Sequence, residues 1–169
     1  MTEQRDTFPR LLLHQAKVRP DRPAFREKDL GIWQTWTWAQ IAGEVRILAC
    51  GLAARGFERG DRLAVIGDNR PRLYWAMMAA QALGGVPVPL YQDAVAGEMA
   101  FVLQDADIGF AVVEDQEQVD KLLEVLPQCP RLKHIFFDDP RGLRHYGQAE
   151  LTAFEDLQAA GRGFAQGNP

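Results

Sequence analysis

Apolar positions along this chain repeat at helical spacing in some stretches and form short unbroken runs in others, and the two kinds of stretch alternate. From Phe8 to Val18, Leu11, Leu12 and Ala16 offer one helix face to a core, behind Thr7 as the side-chain cap and Pro9 in the first turn, with Pro20 ending the helix. Two strand-like runs follow, 24–27 and 32–37, joined by Lys28-Asp29-Leu30-Gly31. Trp33 and Trp36 favour a pleated surface and Gly31 suits a turn, which predicts a hairpin. Thr37 and Gln40 then form a capping-box pattern ahead of the stripe Ile41, Val45, Leu48 and Leu52, and Gly56 closes that helix. Gly43 and Gly51 inside it weaken the helix by about 1 kcal/mol each relative to alanine, so they predict close packing.

After the Gly60-Asp61 turn, 62–66 reads as a short buried strand. The stretch from Asp68 to Asp93 comes next, and it carries no charge between Leu73 and Gln92. That length raises a membrane span, but Gly84-Gly85, Pro87 and Pro89 would break any such helix at its midpoint. The pattern predicts a helix capped by Asn69, with Pro71 in its first turn and Gly84 at its end, delivering a central strand over 86–90. A helix through Met99, Val102, Leu103 and Ala106 follows, then a strand over 108–113. Asp115 caps a helix carrying Val119, Leu122, Leu123 and Leu126, and Pro127 stops it. A strand over 132–137 and a polar connection over 138–150 lead to a last short helix, with Thr152 and Glu155 as a reciprocal cap. The tail 161–169 reads as a linker, leaving 1–160 as the folded portion. Strands alternating with helices from Arg62 onward predict an α/β fold: a largely parallel sheet flanked by helices, preceded by an N-terminal helix and a β-hairpin.

An apolar helix running through Ala82-Leu83-Gly84-Gly85 into Val86-Pro87-Val88-Pro89-Leu90, after Gly67-Asp68-Asn69-Arg70-Pro71 and Trp75, resembles the AMP-forming acyl-CoA synthetases. These are the adenylate-forming enzymes, and the bacterial long-chain fatty acid group is closest. The resemblance runs from the first helix to Phe136-Phe137 and covers the front of that family's large N-terminal domain. It implies an enzyme that joins a fatty acid carboxylate to AMP using ATP and Mg2+, then passes the acyl group to CoA. In the family the phosphate loop, the acid that holds the ribose and the catalytic lysine all come later in the chain. The resemblance therefore implies no catalytic residue here, an isolated chain that is inert, and no cofactor bound by it alone. It also places Tyr91, in the loop after the 86–90 strand, near the nucleotide part of CoA, although Gln92 and Asp93 stand where some members have glycines. A sheet edge and an apolar surface that later parts of the family's large domain would cover imply self-association, most simply as a two-fold dimer.

Composition narrows the function classes. The 47% hydrophobic content of 169 residues can fill one core. The net charge of −4 and pI near 5.4, with no basic stripe, exclude a nucleic-acid binder. Cys50 and Cys129 lack any paired spacing and read as free thiols, and the stretch MTEQRDTF lacks the apolar core of a signal peptide, so a cytoplasmic location is expected. The chain contains no serine, which excludes a serine nucleophile, and its lysines (Lys17, Lys28, Lys121 and Lys133) stand outside any Gly-rich context. Gly161, Gly163 and Gly167 miss dinucleotide-loop spacing by one place.

Several residues admit both a chemical and a structural role. Asp68-Asn69-Arg70 form either an anion site at the helix N-terminus or a capped, solvated helix start; the second reading is favoured. Trp75, Met77 and Met78 line an acyl tunnel or, as apolar helix residues usually do, a plain core. Asp138-Asp139 lie past a strand end as a magnesium hint, against which Pro140 points to a turn. His14, His134 and His145 with Cys129 show no metal-site spacing and read as core-edge or surface groups. Lys121 reaches a phosphate or is merely solvated. A free-standing α/β interaction module and a small nucleotide-binding protein are the alternative functions.

Overall fold

The computed structural model describes residues 6–168; the reading of the first five residues and of Pro169 lies outside them. The chain builds a five-stranded parallel sheet and a separate antiparallel hairpin. The order is α1 (Phe8–Val18), β1 (Pro23–Asp29), β2 (Ile32–Thr37), α2 (Trp38–Ala54), β3 (Arg62–Ile66), α3 (Pro71–Ala82) and β4 (Val86–Leu90). Then come α4 (Ala96–Asp105), β5 (Phe110–Val113), α5 (Gln116–Val125), a 3-10 turn (Leu126–Gln128), β6 (His134–Phe137), β7 (Leu151–Ala153) and α6 (Phe154–Gly167). In the sheet the strands lie side by side as β4-β3-β5-β6-β7.

The unbroken apolar runs follow from burial on both faces. In β3, Leu63 and Val65 join the core beneath α1, α2, α3 and α6, while Ala64 and Ile66 join the core beneath α4 and α5. Alternation in β5 is the same, with Phe110 and Val112 on the first face and Ala111 and Val113 on the second. With both faces covered, 63–66 of β3 and all of β5 are apolar, and Arg62 stands exposed at the start of β3. No helix among the described residues is long and apolar enough to cross a membrane.

Local chemistry places most element ends as expected. Thr7 Oγ1 accepts from the Arg10 amide, Thr37 and Gln40 close both bonds of the capping box, and Asp115 Oδ1 accepts from the Gln118 amide. Gly56 and Gly84 terminate α2 and α3 with φ of 83° and 77°, values that a side chain would resist. The hairpin forms with Trp36 paired to Phe25 and Trp33 to Lys28. Trp75 is core, 3% exposed, with its ring edge-on to Trp36 at 5.6 Å.

Four expectations are corrected. β4 is an edge strand and not a central one. Its Val86 amide bonds toward β3, so positions 87 and 89 point outward, where proline's missing N–H leaves no ladder bond unmade. Asn69 does not cap α3: Arg70 holds the N-cap position without a side-chain bond, and Asn69 Oδ1 accepts from the Tyr74 hydroxyl at 2.8 Å. Thr152 belongs to β7, a strand too short to announce itself, and α6 starts from Ala153 without a side-chain cap. Finally, the supposed linker from Gly161 onward is helix as far as Gly167.

The glycines of that tail serve proximity. A Cβ on Gly161 would land on the Ile47 carbonyl of α2, and one on Gly51 would land on the Leu157 carbonyl of α6. The two helices touch backbone to backbone because each supplies a residue without a side chain. Gln158 Nε2 donates to Glu44 Oε2 at 2.6 Å beside this contact.

This packing separates two glycines that a linker would treat alike. Gly161→Val should lower unfolding stability by roughly 2–3 kcal/mol, since the obstruction is backbone. Gly163→Ala, with open space around the new methyl, should be neutral or stabilising by up to about 1 kcal/mol. Denaturant melts of both variants check this; equal effects would return the segment to a linker. In the same experiment Trp75→Ala should cost roughly 3–5 kcal/mol, as for buried aromatics.

Candidate functional site

Parallel α/β sheets take ligands where successive connections leave a strand in opposite directions, at the carboxyl ends of the strands. Here that point lies between β3 and β5, because β4 flanks β3 on one side and β5 on the other. Gly67 and Asp68 follow β3, Glu114 follows β5, and Asp138 and Asp139 follow β6. The hairpin leans over these ends, and Glu27, Gln34 and Trp36 complete a cleft of about 540 Å³.

Two arginines at the start of α3 organise the cleft. Arg70 Nε donates to Glu114 Oε1 at 2.8 Å, and another of its nitrogens donates to Glu27 Oε1 at 2.9 Å. The other oxygen of Glu114 accepts from the Asp68 amide. A side chain at Gly67 would collide with the stem of Glu114, so the glycine lets this carboxylate settle across the switch point. Hydrogen bonds donated to Glu114 and Glu27 raise the Arg70 pKa further above its ordinary value. Arg72 donates to Asp138 at 2.6 Å and Glu155 at 2.7 Å, with its guanidinium 5.2 Å above the Phe154 ring. Burial pushes the Asp138 carboxyl up against the pull of Arg72. For Glu155 burial acts the same way, but the Arg72 hydrogen bond and charge outweigh it and leave this carboxyl below its usual range. Arg141 pairs with Asp139.

These residues do not fit a nucleotide polyphosphate. Each of the three arginines lining the cleft is already neutralised by a carboxylate, and Asp29, Asp68 and Asp115 add negative charge around them. An anion needs convergent free donors, and the Asp68 and Arg70 amides bond instead to Glu114 and Asp68. The helix-start reading of Asp68-Asn69-Arg70 therefore holds without the Asn69 cap. Magnesium fares no better: Asp138 and Asp139 are each engaged by an arginine, and the described residues contain no group of three or more His, Cys, Asp or Glu able to hold a metal.

The remaining candidates fall apart in space. His134 stacks 4.9 Å from Phe110 and 6.1 Å from Phe136, and His145 Nε2 accepts from Arg144 at 2.9 Å. Cys129 is buried, and burial raises its thiol pKa. Lys121 gives its charge to Glu117 and a hydrogen bond to the Gln92 carbonyl. Trp75 and Met78 pack in the core, while Met77 and Tyr74 line a second cleft of about 300 Å³ beneath the Tyr91-Gln92 loop. Tyr91 is 87% exposed there, and Gln92 Nε2 ties the loop to Asp68 at 2.9 Å. Sequence reasoning missed the Arg70 and Arg72 clamps, whose partners lie 43 to 83 residues away. Glu114 and Asp138 stand just past apolar strands, but Glu27 lies within β1 and Glu155 within α6.

Arg70→Met should destabilise the fold by roughly 1–3 kcal/mol, discounted for partial exposure, because it strands Glu27 and Glu114 facing each other. Adding Glu27→Gln and Glu114→Gln should recover much of that loss in a thermal melt; no recovery would mean Arg70 acts by packing alone. Burial and the charge of Arg55 hold His134 below the ordinary value of 6.5. The unfolded chain then binds the extra proton, so stability is full above that value and declines as pH falls from it toward the folded pKa. His134→Gln should flatten this part of the stability–pH curve.

The comparisons with known proteins agree with this architecture. Residues 12–160 match the family model described as AMP-binding enzyme. The long-chain-fatty-acid–CoA ligase FadD15 of Mycobacterium bovis is 26% identical over 134 residues, which is 78% of this chain but 22% of the ligase. The chain thus spans less than a quarter of that relative. Uncharacterized protein Rv1549 of Mycobacterium tuberculosis is 31% identical over 121 residues, 72% of this chain and 67% of that one. A crystal structure from Rhodopseudomonas palustris, described as a candidate long-chain-fatty-acid CoA ligase, superposes with a TM-score of 0.76 at 26% identity, covering 90% of this chain and 36% of the other. With the family model matched from the first helix into the last, this chain belongs to the AMP-binding enzyme family and corresponds to a part of its acyl-CoA ligases.

Proposed function

We propose that the chain forms the N-terminal portion, residues 1–160, of the large domain of a cytoplasmic long-chain fatty acid–CoA ligase, and that alone it is catalytically inert. The observation that carries this reading is the neutralised switch-point cleft. Adenylation needs donors left free to meet charge building on a phosphoryl group, whereas Arg70, Arg72 and Arg141 each face carboxylates. The absence of serine and of a Gly-rich phosphate loop supports it further. ATP, Mg2+ and CoA would then be used by the whole ligase through residues beyond this part. Tyr91 is the residue here that we assign to the CoA side of the enzyme.

A free-standing interaction module is the second reading, favoured by the match to the short Mycobacterium tuberculosis protein, two thirds of which this chain covers. A reading frame continuing past Pro169 into a Thr/Ser/Gly-rich loop supports the ligase reading, and a stop codon there supports the module. Self-association as a two-fold dimer belongs to the ligase reading and is measured by sedimentation equilibrium. The prolines of β4 leave that edge without outward donors, so such a dimer would rest on apolar surface and not on strand pairing.

Catalytic inertness has a direct measurement. ATP–pyrophosphate exchange by the isolated chain should stay at buffer level with fatty acids from short to long, and calorimetry should show no heat of ATP binding. Acid-dependent exchange would overturn the reading.

A further inference from the structure

The tip of the β1–β2 hairpin has no role in the cleft, and its composition is unusual. Asp29 pairs with Ile32, so Leu30 and Gly31 form a two-residue turn with φ of 45° and 83°. Both angles are positive, the geometry for which glycine, asparagine and aspartate are suited. A leucine sits there nonetheless, 90% exposed, with Ile32 66% and Trp33 57% exposed beside it. The fold thus accepts both a strained backbone and uncovered apolar surface at one point.

The charges around the tip are sorted by face. Lys28 lies directly across from Trp33, and the Arg26 guanidinium sits 4.7 Å above the Trp33 ring, so these three share one face. Glu27, Gln34 and Trp36 line the cleft on the other face, where Arg70 holds the Glu27 carboxylate, and Asp29 lines the cleft with them. The outward face therefore presents cations, an indole and an aliphatic tip on a chain whose net charge is −4.

We propose that this hairpin docks on an anionic lipid surface, with Leu30 and Trp33 entering the headgroup boundary and Arg26 and Lys28 meeting lipid phosphates. Tryptophan is suited to that boundary because its ring is apolar and its N–H is polar. Lysine and arginine next to it gain from the negative surface potential of the leaflet. The mode is attachment to the surface and not insertion across it. A second copy is a poorer occupant. Two-fold pairing of tips would set Arg26 and Lys28 against their own like charges, and a convex tip needs a concave apolar complement, whereas the larger cleft is acidic.

Vesicle sedimentation with the whole chain tests this, using phosphatidylglycerol mixed with phosphatidylcholine against phosphatidylcholine alone. The chain should bind the anionic vesicles, with a blue shift of tryptophan emission and weakening by salt. Leu30→Asn suits the turn and should keep or raise the melting temperature, yet combined with Trp33→Thr it should reduce binding about tenfold or more. Arg26→Gln with Lys28→Gln should do the same through charge, about thirtyfold for two cations. Absence of binding, equal binding to neutral vesicles, or unchanged binding by these variants would overturn the proposal. So would self-association without lipid that depends on the same four residues.

Discussion

Arg70 is where three parts of the chain are fastened together. Its guanidinium joins the hairpin through Glu27 and the end of β5 through Glu114, while its backbone opens α3. Without that double bridge the hairpin would rest on α3 through the ring contacts of Phe25 with Tyr74 and Trp36 with Trp75. The constraint behind it is general: a sheet covered on both faces pushes every charged group to the strand ends, where charges must find one another or remain in water. This chain pairs them, and the pairing determines what the cleft can hold.

A second constraint acts on the same face of the sheet as α3. α2 and α6 approach until backbone meets backbone at Gly51 and Gly161, which draws the end of the described chain onto its first long helix. Phe154 and Leu157 are carried into the core by that approach, and Phe154 supports the Arg72 guanidinium from below. Helix packing and the second arginine clamp are therefore one arrangement, because Glu155 lies in the same first turn of α6.

Membership of the AMP-binding enzyme family fits a scaffold whose own polar groups are occupied. The carboxylates here are spent on holding elements in place, and the loops that follow β3 and β4 are tied to each other through Asp68 and Gln92. The chain spans about a fifth of the FadD15 ligase and about a third of the Rhodopseudomonas palustris structure.

The sequence by itself determined the alternation of helix and strand, the hairpin, the Thr7, Thr37 and Asp115 caps, and the family, because these depend on local spacing and on a contiguous motif. It did not determine strand order. The two prolines of β4 carried the edge signal, but a five-residue apolar run reads the same at the centre as at the border. Nor did it distinguish a glycine kept for contact from one kept for freedom, since Gly161 differs from Gly163 only in what lies opposite. The clamps at Arg70 and Arg72 were decided by tertiary structure alone. Each joins charges from three separate elements, and only the folded sheet brings those elements to one end.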